Sequence, residues 1–154
     1  HIVRKPTSTT EIVFRVGLKS RRVWRRVAMR GDHSLEQLHG EIFAAFNRFD
    51  DHLYSFYFPK APTRRGPAVQ SKEYVAPQAF DPSSSRSRTF NAAQASLDGL
   101  KLRVGQTFEY LFDYGDSWWH EIEVENIGPT VTGRRYPVLL ETHGRSPRQY
   151  GESE

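Results

Sequence analysis

The 154-residue sequence contains no cysteine. That excludes disulfides, thiolate zinc sites and a cysteine nucleophile, so any metal would have to be held by His, Asp or Glu. Long apolar runs are missing as well. None approaches the roughly 18 residues of a membrane-spanning helix, and the first residues lack the charged-then-apolar pattern of a secretory leader. A cytoplasmic protein with no membrane partner is the expectation. Dedicated catalytic motifs are equally scarce: there is no His-Glu-x-x-His spacing, no serine elbow and no glycine-rich phosphate loop. No cofactor is expected. His1 stands without an initiator Met and is read as a cloning scar, and the closing Gly-Glu-Ser-Glu carries no stop signal, so a longer natural chain is expected.

What is present suits one folded domain. The length allows a real core, and 37% of the residues are hydrophobic. The net charge of +4 hides a division along the chain, since residues 1–30 carry +8, residues 31–58 carry −4, residues 59–97 carry +4 and residues 98–125 carry −5. One end of the fold is therefore basic. Arg21, Arg22, Arg25 and Arg26, with Trp24 among them, are the candidate contacts for an anion or a nucleic acid.

Alternation marks the strands. Ile12, Phe14 and Val16 share one parity in the first, and residues 23–29 form the second, joined to it by a short connection that predicts an antiparallel hairpin. Ser34 followed by Gln37 reads as a capping box. The helix it opens runs to about Phe46, with Leu35, Leu38, Ile42, Ala45 and Phe49 on the core side, His39 at the boundary, and Glu36, Glu41 and Arg48 outward. Asp50-Asp51-His52 then leads into a strand over 53–58. From about 59 to 91 the composition turns to Pro, Arg, Ser and Gly, which predicts an irregular basic insertion with one short strand near 73–75. A short helix is expected over 92–97, and Pro137 confines the 136–140 element to a sheet edge or a strand start.

The stretch from Gln106 to Asn126 is the richest in chemistry. Phe108, Tyr110, Phe112 and Tyr114 alternate on one strand, and Trp118, His120, Ile122 and Val124 on the next. A three-residue loop, Gly115-Asp116-Ser117, would place Tyr114 opposite Trp118 and Phe112 opposite His120. The candidate functional rim gathers Asp113, Asp116, Trp118, His120 and Glu121 from this hairpin with Asp51 and His52 from the earlier turn. His120 itself is expected to face the core-side row and to donate to a carboxylate.

Together these pieces resemble a known family. Leu18-Lys19 with Val23-Trp24-Arg25-Arg26, Gly31-Asp32, Leu35-Glu36-Gln37-Leu38-His39, Asp50-Asp51-His52-Leu53-Tyr54-Ser55-Phe56, Phe112-Asp113-Tyr114-Gly115-Asp116, Trp119-His120-Glu121-Ile122 and Arg135-Tyr136-Pro137 resemble, in order and spacing, the Ri-plasmid ORF-3-like family. The resemblance implies an α+β domain of bacteria and archaea, found on plasmids or near transposition genes and sometimes joined to small metal-binding modules. It implies no reaction. Members often carry cysteines after the Tyr-Pro element, and 139–149 here has none, so a metal role resting on them does not transfer.

The expected fold is thus α+β: an antiparallel or mixed sheet with one main helix on a face, in a β-grasp-like order, forming a single domain over 1–154. The expected function is that of a non-enzymatic interaction module for a protein or nucleic-acid partner. The alternative is a metal-dependent or acid-base enzyme using Asp116 and His120.

Overall fold

The computed structural model describes residues 8–19, 22–59, 71–83 and 89–150. Arg21 and residues 60–70 and 84–88 of the expected insertion lie outside the described residues. Eight strands form one sheet: β1 (Thr10–Leu18), β2 (Trp24–Arg30), β3 (Tyr54–Pro59), β4 (Ser71–Val75), β5 (Thr89–Asn91), β6 (Thr107–Phe112), β7 (Trp118–Pro129) and β8 (Val138–His143). Their order is β5-β4-β3-β6-β7-β1-β2-β8. Every neighbouring pair is antiparallel except β4 with β5, so the sheet is mixed. The expected order of strand, strand, helix, strand and hairpin is present, inside a sheet larger than that order alone requires.

Helix α1 (Leu35–Ala45) is fixed at its start by side chains and at its end by a backbone turn, both at residues the sequence displays. Ser34 Oγ accepts from the Gln37 amide at 3.1 Å while Gln37 Oε1 accepts from the Ser34 amide at 2.9 Å. Two orphan donors of the first turn are thereby satisfied. At the other end Asn47 takes a left-handed conformation with φ of 58°, the usual stop when glycine is absent. Leu35, Leu38, His39, Ile42 and Ala45 are buried. They meet the row formed by Phe14, Val16, Val27, Met29, Phe56, Phe108, Tyr110, Phe112, Ile122 and Val124. Full burial stabilises by about 1.5–3 kcal/mol for each large apolar side chain. This row is the core. Since α1 lies on it and is the sole α-helix among the described residues, the other face of the sheet carries no α-helix.

Several local expectations need correction. Past Asn47 the helical periodicity no longer applies, so Phe49, expected inside, is 70% exposed, and Arg48, expected outside, is 8% exposed. The segment before β6 holds single 3₁₀ turns at Ala92–Gln94 and Asp98–Leu100 in place of a short helix. Within the basic segment the expected short strand is present as β4, and β5 runs parallel beside it. In the β6/β7 hairpin, Phe112 lies opposite Trp118 and Tyr110 opposite His120. The loop therefore has five residues, Asp113 to Ser117, and the strands are offset by two from the three-residue register. Parity survives a shift of two, so the apolar faces still coincide.

Candidate functional site

The longer loop exists because Asp113 builds it. Its backbone is left-handed, with φ of 64°, and its amide donates to the Leu53 carbonyl at 2.9 Å. Oδ1 accepts from the amides of Gly115 and Asp116 at 3.1 and 3.3 Å, and the Asp113 carbonyl accepts from Ser117. These are the bonds of an Asx-type turn. They bury Asp113 to 8% exposure and leave Asp116 exposed at the tip. The other carboxylate oxygen lies 3.7 Å from His52 Nε2. His52 Nε2 also meets the Tyr150 hydroxyl at 2.8 Å, and that hydroxyl donates to Asp50 Oδ2 at 2.7 Å. The bond to Asp50 moves the Tyr150 phenol up to about 12. Asp51, His52, Leu53, Tyr54 and Gln78 line a shallow groove of about 380 Å³ beside this turn.

Two further histidines sit below it, each held at both ring nitrogens. His39 Nε2 faces Asp51 Oδ1 at 2.9 Å, and its Nδ1 faces the Tyr110 hydroxyl at 2.6 Å. A carboxylate only accepts, so Nε2 carries the proton and Nδ1 accepts from Tyr110. The ring stacks on Tyr54 at 3.8 Å. Burial holds His39 below the usual histidine range, with Asp51 opposing. His120 is fully buried; Arg48 Nη2 donates to its Nε2 at 2.9 Å, and its Nδ1 meets the Tyr110 carbonyl at 3.2 Å. Burial first, and the Arg48 charge second, take His120 down to about 3. Among the described residues no carboxylate reaches it, contrary to the expectation that it donates to Asp113 or Asp116. Its neutral ring is needed because Arg48 can only donate.

The candidate rim therefore does not form one cleft. Asp51, His52 and Asp113 come together at the turn, with Asp116 at the tip of the same loop. Trp118 and His120 belong to the interior row. Glu121 lies on the helix-free face, opposite Glu109 and Gly17. The Asp51–His39–Tyr110 chain has the components of a nucleophile-activating relay but the wrong orientation. Its carboxylate is 64% exposed and its hydroxyl fully buried, whereas a nucleophile must reach substrate. Burial also raises the Tyr110 phenol well above its ordinary value. Among the described residues, no three His, Asp or Glu side chains converge as metal ligands.

Sequence reasoning missed Arg48, Tyr110 and Tyr150 as members of this network. For Arg48 the signal was Asn47, a helix-stop residue that breaks the phase of everything after it.

The basic candidates divide by parity. Arg25 faces the helix side at 3% exposure, and its guanidinium donates to the carbonyls of Ala45, Trp24, His143 and Gly144. Arg26, on the other face, pairs with Glu125 at 2.5 Å and with Glu141. Trp24 lies between cations, with Arg15 and Arg26 4.7 and 5.0 Å from its ring centroid, and stacks with His143. Arg22 is exposed at the wall of a hollow of about 620 Å³ shared with Arg15, Lys19, Trp24, Glu121 and Glu123.

A mixed eight-stranded sheet with one α-helix on a face, and a hydrogen-bonded corner of histidines and carboxylates, defines a class by architecture and names no reaction. Residues 10–150 match the family model described as Plasmid pRiA4b ORF-3-like protein, and the chain belongs to that family. It is 30% identical over 126 residues to the uncharacterized protein y4hQ of Sinorhizobium fredii (strain NBRC 101917 / NGR234), a match covering 81% of this chain and 57% of that protein. The chain thus spans little more than half the length of this curated relative. The crystal structure of a protein of unknown function, MM3350 from Methanosarcina mazei Go1, superposes with a TM-score of 0.71 at 20% identity, over 93% of this chain and 74% of the other. That likeness shows a shared fold. Among the described residues, no helix is long and apolar enough to cross a membrane.

Proposed function

We propose that the domain is a protein-binding module that docks its partner on the helix-free face of the sheet. The composition of that face carries the reading. Tyr57 and Trp119 are in ring contact at 5.6 Å, and Trp24 lies further along the same face. The cations among them are largely answered on the spot: Lys19 by Glu109, Arg26 by Glu125 and Glu141, Arg30 by Asp32 and Arg134 by Glu11. A polyanion is held by rows of uncompensated cations that displace its counterions. Interleaved charges of both signs around half-buried aromatics suit a protein surface, where aromatic anchors supply affinity and charge pattern supplies register. Glu121 and Glu123 beside Arg15 and Arg22 would repel a phosphate backbone.

A random-peptide display selection tests this. Peptides enriched on the wild-type protein should lose about tenfold or more in affinity for the Tyr57→Ser/Trp119→Ser variant, the loss of a single anchor. Equal affinity for both proteins would refute the docking face. Salt-dependent binding of an oligo-dT strand, abolished by Lys19→Ala with Arg22→Ala, would establish the nucleic-acid alternative instead.

A further inference from the structure

Gly17 is a gap in the middle of the helix-free face. Across the sheet it lies between Trp24 on β2 and Glu121 on β7, and along β1 the same face carries Arg15 two residues before it and Lys19 two residues after it. A glycine inside a strand has no side chain to pack and loses the most freedom on folding, so its presence here needs a reason. Backbone conformation does not supply one, because Gly17 lies outside the left-handed region. Crowding does not supply one either: apart from its chain neighbours, a Cβ at this position would meet among the described residues only the Trp24 Cβ and the Val23 carbonyl oxygen, both at an ordinary 3.8 Å. The Trp24 indole leaves the gap uncovered, since its ring is taken up by Arg15, Arg26 and His143. What the missing side chain provides is depth, for Gly17 lines the hollow of about 620 Å³, a volume in the range of ligand sites. The charges around the gap select its occupant. Lys19 is paired with Glu109, which leaves Arg15 and Arg22 facing Glu121 and Glu123, and among the described residues none of these four is in an ion pair. An incoming cation or carboxylate therefore meets as many like charges as opposite ones. An aromatic ring meets no such conflict. The cations on either side of the gap already sit over rings, Arg15 over Trp24 and Lys19 at 5.7 Å from the Trp119 centroid. A further ring entering between them extends the same arrangement and removes up to roughly 150–250 Å² of its own surface from water.

We propose that the hollow at Gly17 is a socket for one aromatic side chain of the protein partner. The inference rests on the docking reading and adds to it the kind of residue the partner supplies. The probe is N-acetyl-L-tryptophanamide, titrated into ¹⁵N-labelled protein beside the matching leucine and arginine amides. The Gly17 amide and Trp24 indole signals should shift and saturate in the millimolar range with the tryptophan derivative, and the other two should need about tenfold more. Gly17→Val, which fills the gap, should lose the response. Gly17→Ala should unfold at a temperature no lower than the wild type, because the unfolded alanine chain has less freedom to lose. The proposal is overturned if the wild type gives no saturating shift, if the leucine or arginine derivative matches the tryptophan one, or if the response survives in Gly17→Val. A lower midpoint for Gly17→Ala overturns it as well, since the fold itself would then require the glycine. The docking reading is judged apart from this, by the peptide affinity of Tyr57→Ser/Trp119→Ser. Loss of that affinity with no response at Gly17 keeps the docking face and removes only its aromatic socket.

Discussion

Acidification from pH 7.5 to 4.5 is expected to remove on the order of 3 kcal/mol of stability through His120 alone. In the unfolded chain this histidine has the ordinary value of 6.5, and in the fold it is held at about 3. Between those limits the unfolded state binds one proton more than the native state, so stability rises with pH across the window. It is therefore lost as pH falls below about 6.5, with a slope approaching 1.4 kcal/mol per pH unit, and the loss levels off near pH 3. His39 and His33 are displaced in the same direction, chiefly by burial, and steepen the fall. His120→Gln isolates the contribution, since an amide can accept from Arg48 without titrating. The variant should be weaker than wild type at pH 7 by about 1–3 kcal/mol, the cost of imperfect buried hydrogen bonds, and should show a visibly shallower pH dependence. Urea unfolding followed by tryptophan fluorescence at half-unit pH steps measures both quantities. Parallel curves for the two proteins would refute the reasoning, as would a His120 imidazole that titrates near 6.5 in the folded protein.

Four further substitutions test the scaffold by urea or thermal unfolding. Gly144→Ala should lose about 2 kcal/mol, because φ is +80° there and a new Cβ would lie 2.7 Å from the Arg22 carbonyl oxygen; an unchanged midpoint contradicts the geometry. Ser34→Ala should lose about 1 kcal/mol by removing one half of the capping box, with helix content at low temperature preserved. Arg25→Met should cost about 2–4 kcal/mol by stranding four carbonyls, whereas Arg22→Ala should stay within about 0.5 kcal/mol; a reversal would mean that the burial assigned to Arg25 is wrong.

How far the fold could be read depended on the kind of information involved. Period-2 alternation and the capping box are local, and they located β1, β2, β3, β6 and α1 to within a residue or two and the start of β7, which runs on to Pro129 beyond the expected end of the hairpin at Asn126. The parity of Arg25 and Arg26 was equally visible, yet the side of each was not, because both rows of β2 mix apolar and basic residues. Only the pairing of Val16 with Arg25 places Arg25 in the interior row. The hairpin shows a different limit: registers offset by two residues bury the same faces, so hydrophobic pattern cannot separate a three-residue from a five-residue loop. Asp113 decided it through bonds to Gly115, Asp116 and the Leu53 carbonyl that no pairwise pattern encodes. Arg48 and the Tyr110 relay were hidden for a related reason. Each draws partners from 12 to 72 residues away in sequence.

The polar interior and the open face have complementary physical roles. Each corner histidine is bound at one or both ring nitrogens, and a segment from near the end of the described chain ties the same turn again. Ser146 donates to the Phe46 carbonyl at 2.6 Å, and Gln149 accepts from the amides of Phe49 and Asp50 while donating to the Asp50 carbonyl at 2.5 Å. The turn that carries Arg48, Asp51 and His52 is thus held from three directions: by α1, by the β6/β7 hairpin loop and by residues 146–149. Buried polar networks whose members are nearly all satisfied impose one arrangement on their surroundings. Here the arrangement they impose is that of β3, β6 and β7, whose opposite sides carry Tyr57, Glu109 and Trp119. A docking surface built on strands fixed in this way loses little conformational freedom when a partner arrives. On the docking proposal, the histidines and carboxylates that first invite a catalytic reading would act on binding at a distance, by holding the sheet whose far side is proposed to make the contact.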